Sequence, residues 1–322
     1  MEIFRGVHQI RSCIADRHLF QYVFEGDNIV LLDTGFSTTP EDVILPFLSR
    51  IGVGADRLKL AINTHADADH HGGNSSLKRR CENILLACGE LDRDVIEDPD
   101  RLFASRYNHW LADHDIGLRR NAEAEAWVRT MTGAAQRIDI GLRGGESIAI
   151  SDHMNLRVLH LPGHSHGHLA FYDAQNKAIY VGDALHGNYC PSREGKPSLP
   201  PAYFAVLAYL SSIQTVETLD VQWIYSAHWP TYVGQDIPEF LSECRNFVDR
   251  ADRLIRNMLE HHPDGVTLGE CMASCGPAMG TWPKENEWLL MFPVHGHLSQ
   301  LEQLGITKQT SRQGGKVRWH LV

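Results

Sequence analysis

Apolar and polar positions along the chain predict a mixture of strands and helices. Residues 19–24 (LFQYVF) and 28–32 (NIVLL) are rich in β-branched and aromatic residues, and Glu25-Gly26-Asp27 between them is typical of a hairpin turn. Residues 40–51 instead carry apolar positions at helical spacing after Pro40. Four short apolar runs predict further strands, at 58–63, 156–161, 178–181 and 221–225. A helical stretch at 203–219 precedes the last strand, so the predicted class is α/β with mixed sheets.

The segment 90–136 interrupts this pattern. It is charged and mostly helical, with Trp110, Trp127 and Met131 as predicted buried anchors. We interpret it as a helical insertion that covers a site.

The chain changes character again from about residue 238. Helices are predicted at 239–261, 267–275 and 295–304, followed by a β-hairpin with its turn at Gly314-Gly315. Three helices followed by a hairpin are typical of a winged helix. The predicted organisation is therefore a catalytic domain at 1–237 and a winged-helix-like domain at 238–322.

Composition and charge narrow the functional class. The chain has 322 residues, of which 43% are hydrophobic and 22% charged, as is ordinary for a globular protein. Its net charge of −10 argues against broad coating of nucleic acid or of an anionic membrane. The seven cysteines are scattered and form no disulfide framework, and neither a signal-like N-terminus nor a long apolar run occurs. We therefore expect a cytoplasmic protein that does not enter a membrane.

The 19 histidines are the unusual feature, and several cluster in the segment Thr64–Gly73 (THADADHHGG). This segment follows a predicted strand and places five potential metal ligands within seven residues. Carboxylates and imidazoles packed so closely repel one another or compete for protons unless a cation lies among them. The alternative interpretation is a solvated polar loop.

Three later strands also end in a potential ligand. His164 follows the strand at 156–161, Asp183 follows 178–181, and His228 follows 221–225. Strand ends of this kind meet at one edge of an α/β sheet, where ligand sites form. The sequence therefore predicts that these side chains join those of segment 64–73 in one cluster.

Over residues 3–235 these motifs resemble the metallo-β-lactamase fold superfamily, whose signature is T-H-x-H-x-D-H-x-G-G followed by G-H, G-D and a last His. The resemblance implies an αββα sandwich that holds two divalent metal ions. His65, Asp67 and His164 would form one site, Asp69, His70 and His228 the other, and Asp183 would bridge them. The turn Asp33-Thr34-Gly35 also matches a structural feature of the family near the site.

Asp67 departs from the family pattern, which usually has a histidine at that position. Two divalent ions carry four positive charges, and an additional aspartate makes the centre formally neutral, so its bridging water should be less acidic. A carboxylate also favours manganese or iron relative to imidazole, although zinc remains the expected metal. Because aspartate is shorter than histidine, we expect the site that contains Asp67 to be the weaker one.

The activity that the resemblance implies is hydrolysis of a small ester, thioester, lactone or phosphoester, as in the glyoxalase II-like branch. A hydroxide that bridges the metals would attack the substrate, and Asp69 would be the catalytic residue that orients it. His168 is predicted to contact the site, and loop 187–202 to select a small-molecule substrate.

Three alternatives remain open. An RNA-processing endoribonuclease is suggested by Lys308, Arg312, Lys316 and Arg318, although residues 238–322 hold nine lysines and arginines against ten acidic residues. A non-haem iron oxidoreductase is suggested by the carboxylate at position 67, although such relatives also carry a flavin domain. A non-catalytic scaffold would not need a complete ligand set. The C-terminal domain could instead pack against the site or form a homodimer.

Overall fold

A computed structural model describes residues 1–310 and 316–322 and has two β-sheets at its centre. The strands are β1 (Glu2–Phe4), β2 (Val7–Ile14), β3 (Arg17–Phe24), β4 (Ile29–Leu32), β5 (Leu58–Asn63), β6 (Leu85–Gly89), β7 (Ile140–Leu142), β8 (Ser147–Ser151), β9 (Met154–His160), β10 (Leu169–Asp173), β11 (Ala178–Tyr180), β12 (Cys190–Pro191), β13 (Pro197–Leu199), β14 (Trp223–Tyr225), β15 (Tyr232–Val233), β16 (Thr307–Thr310) and β17 (Arg318–Leu321).

The first sheet contains β1 to β7 in sequential order, and the second has the order β15-β14-β11-β10-β9-β8. Strands β1 to β4 are antiparallel neighbours, as the predicted hairpin requires, and Phe24 pairs with Val30. Strands β4 to β7 are parallel. In the second sheet β11 and β14 run parallel. The α/β class with mixed sheets is therefore confirmed.

The two sheets pack face to face, and helices cover their outer faces. Val30 and Leu32 of β4 face the second sheet, where they share a core with Phe171 and Tyr180. The alternate residues of β4, Ile29 and Leu31, pack beneath helices on the other face. A strand buried on both faces has a continuous apolar sequence, which explains the run NIVLL. The predicted αββα sandwich is confirmed.

Eleven α-helices flank the sheets within the described residues. They are α1 (Leu45–Arg50), α2 (Ala68–His71), α3 (Asn74–Arg80), α4 (Arg93–Glu97), α5 (Pro99–Leu102), α6 (Leu111–His114), α7 (Ala122–Thr132), α8 (Val206–Glu217), α9 (Asp236–His261), α10 (Leu268–Met279) and α11 (Met291–Gln303). None of the helices within the described residues is long and apolar enough to cross a membrane.

The insertion at 90–136 contains α4 to α7 and a π-helical turn at Phe103–Tyr107. Trp110 is buried, as predicted, with 5% of its surface exposed. The prediction that Trp127 is a buried anchor is wrong, because 46% of its surface is exposed. Its indole instead packs edge-on against Phe36, with ring centroids 5.3 Å apart.

The C-terminal segment contains α9, α10, α11 and the hairpin β16–β17, in the predicted order. The predicted turn at Gly314-Gly315 lies outside the described residues. One apolar core runs from Ile179 and Ile224 of the second sheet to Phe247 of α9 and Trp319 of β17. The segment therefore packs directly on the sandwich, while its winged-helix assignment and the boundary at residue 237 stay predictions.

Candidate metal centre

The predicted ligands lie where strands of both sheets end. His65 follows β5, and Asp69 and His70 belong to α2, which begins immediately afterwards. His164 and Asp183 follow β9 and β11 of the second sheet, and His228 follows β14. The two sheets thus bring residues from four separate segments to one edge of the sandwich. The prediction that these side chains meet there is confirmed by the distances between them.

One group of side chains is centred on Asp67. Its Oδ2 atom lies 2.8 Å from His164 Nε2 and 3.3 Å from His65 Nε2. The potential ligand atoms of these three residues lie within 4.8 Å of one another. This is the spacing that a shared metal ion requires.

A second group adjoins the first. His228 Nε2 lies 3.2 Å from Asp69 Oδ2 and 3.4 Å from Asp183 Oδ2, and His70 Nε2 lies 3.8 Å from Asp183 Oδ2. Asp69, His70 and His228 form one potential ligand set, and Asp183 forms another with His65 and His70. Asp183 therefore lies between the two groups.

The four imidazoles have a common orientation, in which Nδ1 points away from the cluster and Nε2 points into it. Nδ1 of His65 contacts Thr64 Oγ1 at 3.0 Å, and Nδ1 of His70 contacts Asp33 Oδ2 at 2.9 Å. Nδ1 of His164 contacts the Ala202 carbonyl at 2.9 Å, and Nδ1 of His228 contacts the His18 carbonyl at 2.7 Å. Carboxylate and carbonyl oxygens only accept, so the contacts of His70, His164 and His228 place a hydrogen on Nδ1, and the Thr64 hydroxyl, which donates to Asp33, can accept one from His65. An imidazole with its hydrogen on Nδ1 can present its Nε2 lone pair to a metal ion. Metal-binding histidines are oriented in this way by groups outside the metal site.

Asp33 organises the junction between β4 and β5. It has a left-handed backbone conformation, with a φ of 64°, at the turn that follows β4. Its carboxylate accepts hydrogen bonds from the Thr64 backbone N–H at 2.7 Å and from the Thr64 hydroxyl at 3.0 Å, in addition to the contact with His70. One buried carboxylate thus fixes both the segment that enters the site and one of its imidazoles.

The chemistry of this donor set fits divalent ions. His65 Nε2, His70 Nε2 and Asp183 Oδ1 are buried and have no hydrogen-bond partner within the described part of the chain. Buried polar atoms without partners are costly, and these three residues form one set whose potential ligand atoms lie within 4.8 Å of one another. A cation would satisfy them together. Metal binding by the seven residues stays a prediction at this point.

The charges in the cluster also favour a cation. Burial alone would lower the pKa of His70, but the carboxylates of Asp33, Asp69 and Asp183 raise it to about 10. Burial lowers the pKa of His65 well below its usual value, and the neighbouring His70 adds to this effect. The carboxylates therefore attract positive charge, either as a proton on His70 or as a metal ion.

Arg106 and Tyr107 of the helical insertion were missed by the sequence reasoning. The Arg106 guanidinium pairs with both carboxylate oxygens of Asp67, with Nη2 2.7 Å from Oδ2. The Tyr107 hydroxyl donates to Asp67 Oδ1 at 3.0 Å. Burial would raise the pKa of Asp67, but Arg106 and His164 hold it well below its usual range. No local motif marks these residues, and the only signal was that the insertion lies where it could cover a site.

Two other histidines lie beside the cluster. His168 stacks on His65 with ring centroids 4.7 Å apart, and its Nε2 accepts a hydrogen bond from the Asp183 backbone N–H at 3.2 Å. The predicted contact of His168 with the site is confirmed. His186 is buried, with its ring 4.9 Å from that of His164.

A cavity of about 190 Å³ opens onto the cluster. Asp67, Asp69 and His228 form part of its wall. The opposite side is mainly apolar and is built from Phe36, the insertion and the C-terminal segment, with the residues Leu118, Trp127, Val128, Trp288, Leu289 and Phe292. The loop predicted to select substrate contributes Leu199, Pro200 and Ala202. The one cavity is therefore lined by residues of the polar cluster and by apolar side chains.

Comparison with known proteins places the chain in a family. Residues 20–228 match the family model described as the metallo-beta-lactamase superfamily. Hydroxyacylglutathione hydrolase of Pelagibacter ubique is 24% identical over 182 residues, which are 56% of this chain and 56% of that protein. Acyl-coenzyme A thioesterase MBLAC2 of Bos taurus is 28% identical over 168 residues, 49% of this chain and 54% of that protein. The chain thus spans about half the length of these curated relatives.

One solved structure has a similar fold along the whole length of this chain. A metallo-beta-lactamase family protein from Thermus thermophilus superposes with a TM-score of 0.75, covering 100% of both chains at 19% identity. At this identity the likeness shows the fold alone. It includes the C-terminal helices, so this segment is not peculiar to the present chain.

Proposed function

Because the chain belongs to the metallo-beta-lactamase superfamily, we propose that it is a metal-dependent hydrolase that cleaves a small acyl thioester. The observation that carries the proposal is the orientation of four imidazoles, whose Nε2 atoms face three carboxylates beside an apolar cavity. The relatives named above are, by their names, hydrolases of thioesters. Esters, lactones and phosphoesters are the other substrate classes that such a site serves.

The two groups of side chains provide sites for two divalent ions, with zinc as the proposed metal. His65, Asp67 and His164 would hold one ion, Asp69, His70 and His228 the other, and Asp183 would contact both. The carboxylate of Asp67 makes manganese or iron the alternative. Bound ions would supply a Lewis acid for the substrate carbonyl and would lower the pKa of a water to about 7.

Asp69 is the proposed catalytic residue. Its carboxylate lies in the cavity wall, beside His228 Nε2 at 3.2 Å. In this position it can accept a hydrogen bond from the attacking water and align it with the carbonyl carbon. When the carbon–sulfur bond breaks, Asp69 would pass the proton taken from that water to the leaving thiolate. The products are a carboxylic acid and a thiol.

The apolar wall supports an acyl group as the part of the substrate that lies in the cavity. Leu118 and Val128 come from the insertion, and Leu289 and Phe292 from the C-terminal segment. Burial of apolar surface contributes about 25 cal/mol per Å² to binding, and it also excludes water that would screen the site. The insertion and the C-terminal segment would thus both contribute to binding the acyl group.

The basic residues of the predicted wing offer less support for RNA cleavage. The Arg318 guanidinium pairs with Glu270, with contacts of 2.9 and 3.0 Å, so its charge is balanced within the chain. Phosphate backbones are bound by uncompensated positive charge. The substrate test therefore includes a phosphodiester only as the alternative to the thioester.

A substrate panel with a matched pair of variants tests the proposal. Zinc-loaded protein is assayed on an acyl thioester, the corresponding oxygen ester, a lactone and a phosphodiester, beside Asp69→Asn and Asp152→Asn. Asp152 is exposed and lies in the turn between β8 and β9, at the end of β9 opposite to the one that leads to His164. We expect thioester cleavage to be fastest and to fall at least roughly 100-fold in Asp69→Asn but not in Asp152→Asn. Thioester cleavage at the uncatalysed rate, or unaltered in Asp69→Asn, would refute it.

A further inference from the structure

The Arg106 guanidinium occupies a position that the proposed function leaves unexplained. Only 7% of its surface is exposed, and it lies against the atoms of the first ligand group. Nη2 is 2.7 Å from Asp67 Oδ2 and 2.9 Å from His164 Nε2. These are two of the atoms that would point at an ion in the site formed by His65, Asp67 and His164.

Further contacts hold Arg106 in place. Its Nη1 donates to the His164 backbone carbonyl at 2.9 Å, and its guanidinium carbon lies 5.2 Å from the centre of the Phe292 ring. Tyr107, the next residue, also bonds to Asp67. A planar guanidinium fixed on both carboxylate oxygens is one of the strongest hydrogen-bonded pairs in proteins. The charge of Asp67 is therefore balanced within the chain.

The second ligand group, formed by Asp69, His70, His228 and Asp183, has no equivalent lysine or arginine in the part of the chain that the structure describes. The ionic contacts of Asp69 and Asp183 are to His70 and His228, and within the described residues no lysine or arginine lies within 4.0 Å of either carboxylate. An ion at Asp69, His70 and His228 would meet carboxylates whose ionic partners are imidazoles, and an imidazole can release its proton when a metal ion binds. An ion at Asp67 would have to displace the hydrogen bonds of Arg106 from Oδ2 and Nε2 and would lie close to its positive charge.

We propose that Arg106 is a built-in counter-cation of Asp67 that makes the two metal sites unequal. The chain binds one divalent ion tightly at Asp69, His70, His228 and Asp183, and a second ion weakly at His65, Asp67 and His164. Arg106 is in this account a positioning residue that controls occupancy of the second site. The inference rests on the proposed function, since it assumes that both groups hold metal.

Metal binding, measured without any substrate, tests this directly. Metal-free protein is titrated with zinc in calorimetry, and the zinc retained after dialysis is counted. We expect two steps in the wild type, with one ion retained. Arg106→Gln should bind the second ion roughly 10- to 100-fold more tightly, the range typical of changes next to metal ligands. Arg101→Gln removes an exposed arginine of the same insertion and should leave both steps unchanged.

Each other outcome is informative. The inference would be overturned if the wild type bound two ions with equal affinity. It would also be overturned if Arg106→Gln bound the second ion with unchanged or lower affinity. Either result would leave the proposed function standing. No bound zinc at all would refute the proposed function itself. If Arg106→Gln fails to fold, the inference is tested by the wild-type titration together with that of Arg106→Lys. This variant loses the bidentate contact with Asp67 and should bind the second ion several-fold more tightly than the wild type.

Discussion

Asp33 Oδ2 and His70 Nδ1 are 2.9 Å apart, although the two residues are separated by 37 positions in the sequence. The carboxylate also bonds to the backbone and hydroxyl of Thr64, which directly precedes His65. The turn after β4 therefore positions ligands that belong to the segment after β5. This contact explains how the turn after an ordinary buried strand becomes part of the metal centre.

Removing that contact should weaken metal binding without touching a ligand. In Asp33→Ala, His70 loses the group that fixes its tautomer and ring orientation, so zinc affinity should fall roughly 10- to 100-fold. Competition with a chelator of known affinity measures this change. Asp27→Ala alters an exposed aspartate before β4 and serves as the control. Equal zinc affinities of the two variants would contradict the role given to Asp33.

Trp127 should contribute to substrate binding and little to stability, because it is half exposed at the cavity. Loss of its apolar contact should cost about 1.5–3 kcal/mol for an acyl chain that reaches it. Trp127→Ala should therefore lower kcat/KM for a hexanoyl thioester roughly 10- to 100-fold and leave acetyl thioester cleavage nearly unchanged. Steady-state kinetics on both substrates, beside a thermal melt, separate this effect from unfolding. An equal loss on both substrates would disprove the acyl-binding role.

His295 should make the protein sensitive to acid. Burial, with His114 and His109 nearby, lowers the pKa of His295 to about 4 from its ordinary value of 6.5. Between these values the unfolded chain binds more protons, so the free energy of unfolding falls as the pH drops from 6.5 towards 4 and is unaffected above 6.5. The loss should be about 2 kcal/mol. Urea titrations at about pH 7 and about pH 4.5 measure it. His295→Gln should show a smaller difference between the two pH values, and an unchanged difference would rule out this residue as the cause.

Gly89 illustrates how closely the two halves of the sandwich approach. It ends β6, and a Cβ atom added there would lie 1.8 Å from the Gly167 carbonyl oxygen. Both groups are backbone, so neither can move cheaply, and Gly89→Ala should cost about 3 kcal/mol or more in stability. Gly269 of α10 is a matched control, since its nearest neighbour is 3.9 Å away and alanine favours a helix by about 1 kcal/mol. Thermal melts should move in opposite directions. A melting temperature of Gly89→Ala equal to that of the wild type would contradict the close packing.

Much of the fold and of the ligand cluster could be predicted from the sequence because the signals are local. Strand β5 is mainly apolar, and the segment that contains His65, Asp69 and His70 follows it directly. Where a strand ends, its polar successors must lie at the sheet edge. The predicted convergence of His164, Asp183 and His228 with this segment followed from that rule alone.

The pairing of Arg106 with Asp67 could not be predicted, because it depends on how the insertion folds back over the site. The two residues are 39 positions apart, and neither spacing nor periodicity connects them. The misplacement of Trp127 has the same origin. Large apolar residues on helices are buried on average, but those that line a substrate cavity stay exposed, because the ligand packs against them.

Zinc-dependent thioester hydrolysis is tested most directly by the rate of thiol release from an acyl thioester as zinc is titrated into metal-free protein. We expect the background rate without metal, a rate that rises with the zinc bound per chain, and loss of this activity when the zinc is removed by a chelator. Metal-free protein as active as the loaded protein would contradict it, as would a background rate at every zinc occupancy.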